Sequence, residues 1–329
     1  MKILKIKFVD FWYGFAPAEN YFYNLLSSFY NVELSDDPEL LIYSSYGRAY
    51  LNYKCIRIFY SAENLRPDFT GCDYAISFDY NKDPRHYRLP LYALYMNDAG
   101  IAEKLTTNLS REEALRIWRS KTKFCCMVVS NAGSAKRLTF FKKLSLYKKV
   151  DSGGKVLNNT GGPVANKMEF IKDYRFVIAF ENTSHAGYTT EKIIEPLIAD
   201  CIPLYWGDPK VTNEFNAHSF LWLSNNKTEE QLIEEIKRID NDEEMAVKFL
   251  MADKFVNNTI PLSICKETLL AFFHKIEVEK DLINPVAKSG KRFIHAIKIK
   301  RKRSLYNIQI LANAMRKSAV KLISSSSKF

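Results

Sequence analysis

The stretch Phe180-Glu181-Asn182-Thr183-Ser184-His185-Ala186-Gly187-Tyr188-Thr189-Thr190-Glu191-Lys192-Ile193-Ile194-Glu195-Pro196 passes from an apolar run through small and polar residues into a second apolar segment. It reads as strand, loop and helix, with Thr189 or Thr190 placed to cap the helix start. The first N–H groups of a helix lack partners inside it, and its dipole favours negative charge there. Lys192 adds a point charge in the first turn, and a diphosphate suits the arrangement. Strand–loop–helix alone favours a plainer reading, a polar loop before an ordinary capped helix. The continuation Ile202-Pro203-Leu204-Tyr205-Trp206-Gly207-Asp208-Pro209, a buried strand ending in a turn, shifts the balance.

Outward from that stretch, strands are predicted at residues 176–180 and 202–206, with helices at 190–199, 229–239, 243–255 and 263–278. The N-terminal part repeats the alternation. Residues 3–9 read as a strand and 18–29 as a helix, and the short apolar runs 40–43, 56–60 and 74–78 suit buried parallel strands. A charged helix at 111–119, a strand at 124–130 and a basic helix at 134–147 follow. The Gly- and Asn-rich segment 151–162 is the expected interdomain connection. Strand–helix alternation in both halves implies two parallel sheets, with a ligand cleft where their carboxyl ends face each other.

The formal charge is +11 over 329 residues, but its placement is uneven. The last 44 residues, from Val286, hold 12 Lys/Arg and no Asp or Glu, which leaves the rest of the chain with a net charge of −1. A near-neutral body argues against a broad nucleic-acid surface, which needs clustered positive charge. Six cysteines without C-x-x-C spacing read as reduced core residues of a cytosolic protein. The alternating start, Met1-Lys2-Ile3-Leu4-Lys5, lacks the apolar region of a secretory signal.

The segment from Phe180 to Pro209 resembles the donor-binding motif of the α1,3-fucosyltransferases of glycosyltransferase family 10. The shared pattern is Phe180-Glu181-Asn182-Thr183, then Gly187-Tyr188 with Thr190-Glu191-Lys192-Ile193, then Tyr205-Trp206-Gly207. Arg57 to Asn64, Asp73 to Asp79 and Arg88-Leu89-Pro90 are similar to the N-terminal signature of the bacterial members. Ser130-Asn131 with Arg137 resembles a stretch between the two. The likeness runs in order over residues 6–273. It implies an α/β, GT-B fold, two Rossmann-like domains facing across a cleft. The expected division is an acceptor domain at 1–155, a GDP-fucose domain at 156–281 and a basic amphipathic tail at 282–329.

The resemblance also implies inverting transfer of L-fucose from GDP-fucose to a GlcNAc hydroxyl of a Gal-GlcNAc oligosaccharide, such as a lipopolysaccharide or capsule-like glycan. In that reading Glu63 is the general base, and Arg137 and Lys192 hold the diphosphate. Glu191 meets the ribose and the developing charge on fucose, while Asn182 and Tyr188 contact the nucleotide sugar. Glu181 is expected to bond loop backbone, and His185 is assigned no role. No metal is required, although Mn²⁺ or Mg²⁺ could stimulate. Asp240-Asn241-Asp242 reads as a capping turn between helices.

In the tail, Leu305, Ile308, Ala312, Met315, Ala319 and Leu322 form one helical stripe behind the basic run from Lys298 to Arg303. That pattern suits an anionic membrane surface, placing the protein on the inner face of the cytoplasmic membrane. The alternatives are a stripe that packs on the body, a coiled-coil homodimer, or a disordered basic extension.

Overall fold

Leu4, Ile6 and Phe8 are buried while Lys5 and Lys7 between them are not, so the first strand lays one face on a core. The computed structural model describes residues 2–96 and 99–302. Its first sheet contains β1 (Ile3–Val9), β2 (Asn31–Leu34), β3 (Leu40–Tyr43), β4 (Ile56–Ser61), β5 (Tyr74–Ser77) and β6 (His86–Arg88), in the order β2-β1-β3-β4-β5-β6. The second contains β7 (Lys123–Met127), β8 (Val150–Ser152), β9 (Tyr174–Phe180), β10 (Ile202–Trp206) and β11 (Leu221–Trp222), ordered β11-β10-β9-β7-β8. Every pairing between these strands is parallel.

The expected domain limits need correction at both ends. The second lobe begins near residue 107 and not after 155, because β7 and β8 pair within the second sheet. Phe124, Cys125 and Met127 share its core with Phe140, Phe176 and Phe180. Nor is the segment after β8 a connection between lobes. It folds back on its own sheet, with Gly153 N–H donating to Met127 O at 3.0 Å and Val164 N–H to Gly153 O at 2.8 Å. At the far end, the helix Lys266–Glu279 returns to the first lobe, where Phe273 and Ile276 join Phe22 and Leu26.

Residues 282–302 also pack on the first lobe. Val286 N–H donates to Asp73 at 2.7 Å, and buried His295 places Nε2 2.6 Å from the Tyr50 hydroxyl. The apolar stripe from Leu305 to Leu322 lies outside the described residues. Among the described residues no helix is long and apolar enough to cross a membrane.

The helix Glu191–Ile198 sits at the junction of the lobes. Ile193, Ile194 and Leu197 on its apolar face belong to the core built mainly by the first lobe. Burial of each such side chain contributes about 1.5–3 kcal/mol, so this helix is held from both sides.

Candidate active site at the carboxyl edges of the two sheets

In a parallel sheet all carboxyl ends lie along one edge, and the residues singled out above follow those ends. The loop after β4 carries Glu63, and the loop after β9 carries Asn182 to Tyr188. The two loops touch. Asn64 donates from Nδ2 to Thr183 Oγ1 at 2.6 Å, and His185 Nε2 lies 3.3 Å from Asp79 Oδ1. Arg66 holds the other Asp79 oxygen at 3.3 Å and lies over the Phe78 ring. Phe78 meets Tyr188 edge-on, with centroids 5.0 Å apart. The loops after β4 and β5 therefore pack against the loop that leads from β9 into the Thr190 cap.

Gly187 explains how closely the lobes approach. Its φ is +85°, and a Cβ there would stand 2.5 Å from the Phe78 carbonyl oxygen. Gly187→Ala is expected to force this contact apart and cost about 1–3 kcal/mol of stability. A thermal melt of the variant checks this, and an unchanged midpoint would contradict it.

Thr190 is the N-cap of the Glu191–Ile198 helix, as the sequence suggests, but its backbone N–H is already engaged. The fully buried Glu181 carboxylate accepts it at 2.8 Å, together with the Thr190 hydroxyl at 2.8 Å. Glu181 is thus the structural bond expected of it, and it occupies the helix start that a diphosphate was expected to use. Lys192 Nζ stands 3.2 Å from Glu181 and 3.1 Å from Glu191, and bonds Thr190 Oγ1 at 2.9 Å. Burial opposes the charge on Lys192, but the two carboxylates outweigh it and hold the ammonium well above its ordinary pKa. Burial pushes the Glu181 carboxyl upward despite Lys192. Burial likewise works against the charge on Glu191, but Lys192 and Lys167 prevail and keep it below its ordinary value.

Arg137 is 1% exposed. Its guanidinium donates to Phe180 O at 3.0 Å, Asn131 O at 3.4 Å and Asn182 Oδ1 at 2.7 Å, tying the loop after β7 to the end of β9. These acceptors are neutral. Burial lowers the Arg137 pKa, and the Glu181 and Glu191 charges partly restore it. All three guanidinium nitrogens are thus engaged, and with only neutral acceptors its charge is left without a salt-bridge partner within bonding distance among the described residues. Tyr188 is almost fully buried against Phe78, and burial, then Glu181, pushes its hydroxyl pKa up.

Glu63 is exposed, and its Oε1 accepts the Tyr46 hydroxyl at 3.1 Å. Its backbone N–H bonds Ser61 Oγ at 3.1 Å, fixing the turn after β4. Sequence reasoning passed over Tyr46 and Arg66, gave Asn64 and Asp79 no role beyond their place in the N-terminal signature, and assigned His185 none. Their partners were not readable locally, because Tyr46 meets Glu63, Asn64 meets Thr183, Arg66 meets Asp79 and His185 meets Asp79 across different strand ends. Buried Asp208 is a further omission. It accepts the Thr189 hydroxyl at 3.0 Å and Lys210 N–H at 2.7 Å, joining the β10 turn to the helix start.

Asp242 caps the helix Glu243–Met251 through Glu244 and Met245 N–H, as expected. Asp240 is not a cap but lies in the last turn of the helix Glu229–Asn241. Its buried carboxylate accepts the Tyr147 hydroxyl at 3.1 Å and pairs with Lys148 at 2.8 Å and Arg175 at 3.2 Å. Among the described residues there is no group of three or more His, Cys, Asp or Glu arranged to hold a metal.

Two parallel α/β lobes meeting by their carboxyl edges are the arrangement of the GT-B class of glycosyltransferase folds. Residues 6–95 match the alpha-(1,3)-fucosyltransferase FucT N-terminal domain, and residues 118–267 match the glycosyltransferase family 10 (fucosyltransferase) C-terminal domain. The chain belongs to glycosyltransferase family 10. It is 31% identical over 317 residues to the Helicobacter pylori alpha-(1,3)-fucosyltransferase FucT, in an alignment covering 83% of this chain and 65% of that protein. A putative fucosyltransferase of Acanthamoeba polyphaga mimivirus is 30% identical over 178 residues, and the alignment covers 29% of it. The chain thus spans less than two thirds of the length of these relatives. The crystal structure of an alpha1,3-fucosyltransferase with GDP-fucose superposes with a TM-score of 0.72 at 27% identity, covering 87% of this chain and 93% of that one. The form with GDP gives a TM-score of 0.70 at 28% identity.

Proposed function

We propose that the protein is an inverting α1,3-fucosyltransferase. It moves L-fucose from GDP-fucose to a GlcNAc hydroxyl of a Gal-GlcNAc glycan, with a lipopolysaccharide or capsule-like polymer as the natural acceptor. The observation that carries this reading is the 2.6 Å bond from Asn64 to Thr183, which puts the neighbour of Glu63 against the neighbour of Asn182. Glu63 takes the proton of the acceptor hydroxyl as its oxygen attacks the anomeric carbon of fucose. The bond from that carbon to the β-phosphate breaks, and its electron pair leaves with GDP. Arg137 and Lys192 receive the added negative charge, and Glu191 faces the positive charge that develops on the sugar. With two buried cations beside the leaving group, the reading requires no metal, and stimulation by Mn²⁺ or Mg²⁺ is compatible with it. Release of the nucleoside diphosphate, GDP from GDP-fucose or GDP-mannose and UDP from UDP-galactose, in the presence of N-acetyllactosamine tests the donor. Release from another donor alone would overturn it.

Membrane association at the cytosolic face is part of the proposal. The helical run 291–302 exposes Phe293, Ile294 and Ile297 beside Lys298, Lys300, Arg301 and Lys302, a composition suited to anionic headgroups. Because residues 282–302 pack on the first lobe, the informative truncation falls after Lys302. That form keeps the 291–302 surface, so it is expected to keep its transfer rate and to retain part of its binding to phosphatidylglycerol vesicles. A cut after Asp281 is expected also to lower the melting temperature, through loss of the His295–Tyr50 and Val286–Asp73 bonds. Vesicle sedimentation and thermal melts check both. Full retention on vesicles after the cut at Asp281, which removes residues 291–302 as well, would place the binding surface elsewhere.

A further inference from the structure

We propose that the groove beside Trp12 is a subsite for the acceptor sugar next to the one that receives fucose, so that it reads acceptor length. The inference rests on the fucosyltransferase reading above and extends it to specificity. Strands β1, β3 and β4 are neighbours in the first sheet, so the loops after them lie side by side at its carboxyl edge. These loops carry Trp12, Tyr46 and Glu63. Trp12 meets Tyr46 edge-on at 6.4 Å, and the Tyr46 hydroxyl is 3.1 Å from Glu63. Trp12, on the wall of the groove, is therefore linked through Tyr46 to Glu63, the group that would take the acceptor proton.

The groove has a volume of about 330 Å³, and Phe11, Trp12, Phe15, Tyr21 and Tyr60 are among its walls. Phe11 and Phe15 stack at 4.0 Å, and Trp12 stands edge-on to both at 5.6 and 5.2 Å. Trp12 is held in place by this pair and is still 44% exposed. An aromatic kept in the open by a packed base matches the C–H face of a pyranose ring.

The second, independent observation is Tyr60. It is 2% exposed, lines the groove, and its buried hydroxyl has no hydrogen-bond partner in the protein. Such a group costs about 1–3 kcal/mol unless something satisfies it. A purely apolar occupant would leave it unsatisfied and would strip water from the Glu19 carboxylate at the rim. A neutral sugar brings an apolar face for Trp12 and hydroxyls for Tyr60 and Glu19. The occupant is therefore a neutral hexose of the acceptor.

The test uses the full chain with GDP-fucose and two acceptors, the methyl glycosides of N-acetyllactosamine and of GlcNAc. Trp12→Ala is expected to raise the KM for the disaccharide about tenfold, and Tyr60→Phe about three- to tenfold. The KM for GDP-fucose and the rate on the monosaccharide should stay as in the wild type. The preference for the longer acceptor then shrinks in both variants. Equal losses on both acceptors, or no change in the ratio, would overturn the subsite. Failure of the underlying reaction reading is visible separately, as wild-type protein that forms no fucosylated product. Tyr60→Phe keeps the ring in the core, so a Trp12→Ala form that melts early does not remove the test.

Discussion

Glu63→Gln is expected to lower fucosyl transfer by about 10²- to 10⁴-fold while GDP-fucose still binds with near wild-type affinity. Glutamine keeps the side-chain length and the oxygen that accepts from Tyr46, so the turn after β4 is preserved. It removes only the capacity to take a proton. Glu63 also lies on the lobe opposite Arg137 and Lys192, and the contact between lobes runs through Asn64 and not through its own carboxylate. Donor affinity, measured by calorimetry with GDP-fucose, should therefore be insensitive to the change. Transfer at the full rate would show that another group takes the proton.

Lys192→Met carries the second large effect, and its two consequences can be separated. In the proposed reaction, loss of the ammonium removes a charge facing the leaving diphosphate, expected to cost about 10²- to 10³-fold in kcat. It also strands the buried Glu181 carboxylate, whose nearest cation is Lys192 at 3.2 Å, at a cost of about 3–5 kcal/mol of stability. The pH dependence of that second loss has a definite sign. Burial already raises the Glu181 pKa in the folded chain above its unfolded value, and removal of Lys192 raises it further. A carboxyl with a raised folded pKa favours the folded state at low pH and penalises it as pH rises through that pKa. The destabilisation should therefore be largest near neutrality and shrink on acidification below the folded value. Adding Glu181→Gln to Lys192→Met should recover most of the stability at pH 7 and none of the transfer. Recovery of both would mean that Lys192 serves only to balance Glu181.

Local chemistry made much of this site readable in advance. The apolar run into Phe180, the threonine cap and the apolar spacing after it are short-range signals, and the strand, loop and helix lie where those signals put them. Arg137 had a readable signal that the basic look of its helix obscured. It shares the buried face with Phe140, Phe141 and Leu144, at helical spacing, whereas Lys142 and Lys143 point elsewhere. The domain limits were not readable. A short apolar strand such as β7 carries no mark of which sheet it joins, and its pairing with β9 is settled by contacts about 50 residues away. The same reasoning covers the helix Lys266–Glu279, whose Phe272 and Phe273 fit either lobe by composition and pack on the first. His185 and Asp79, 106 residues apart, meet only because two strand ends face each other.

The central claim is that GDP-fucose lies in the crevice between the lobes, its diphosphate at Arg137 and Lys192 and its fucose turned toward Glu63. A crystal structure of the Glu63→Gln form soaked with GDP-fucose tests it most directly. The account predicts density for the β-phosphate within hydrogen-bonding distance of the Arg137 guanidinium and Lys192 Nζ, with the fucose ring between them and residue 63. A nucleotide bound on any other face, or one in the crevice with its sugar directed away from residue 63, would contradict it.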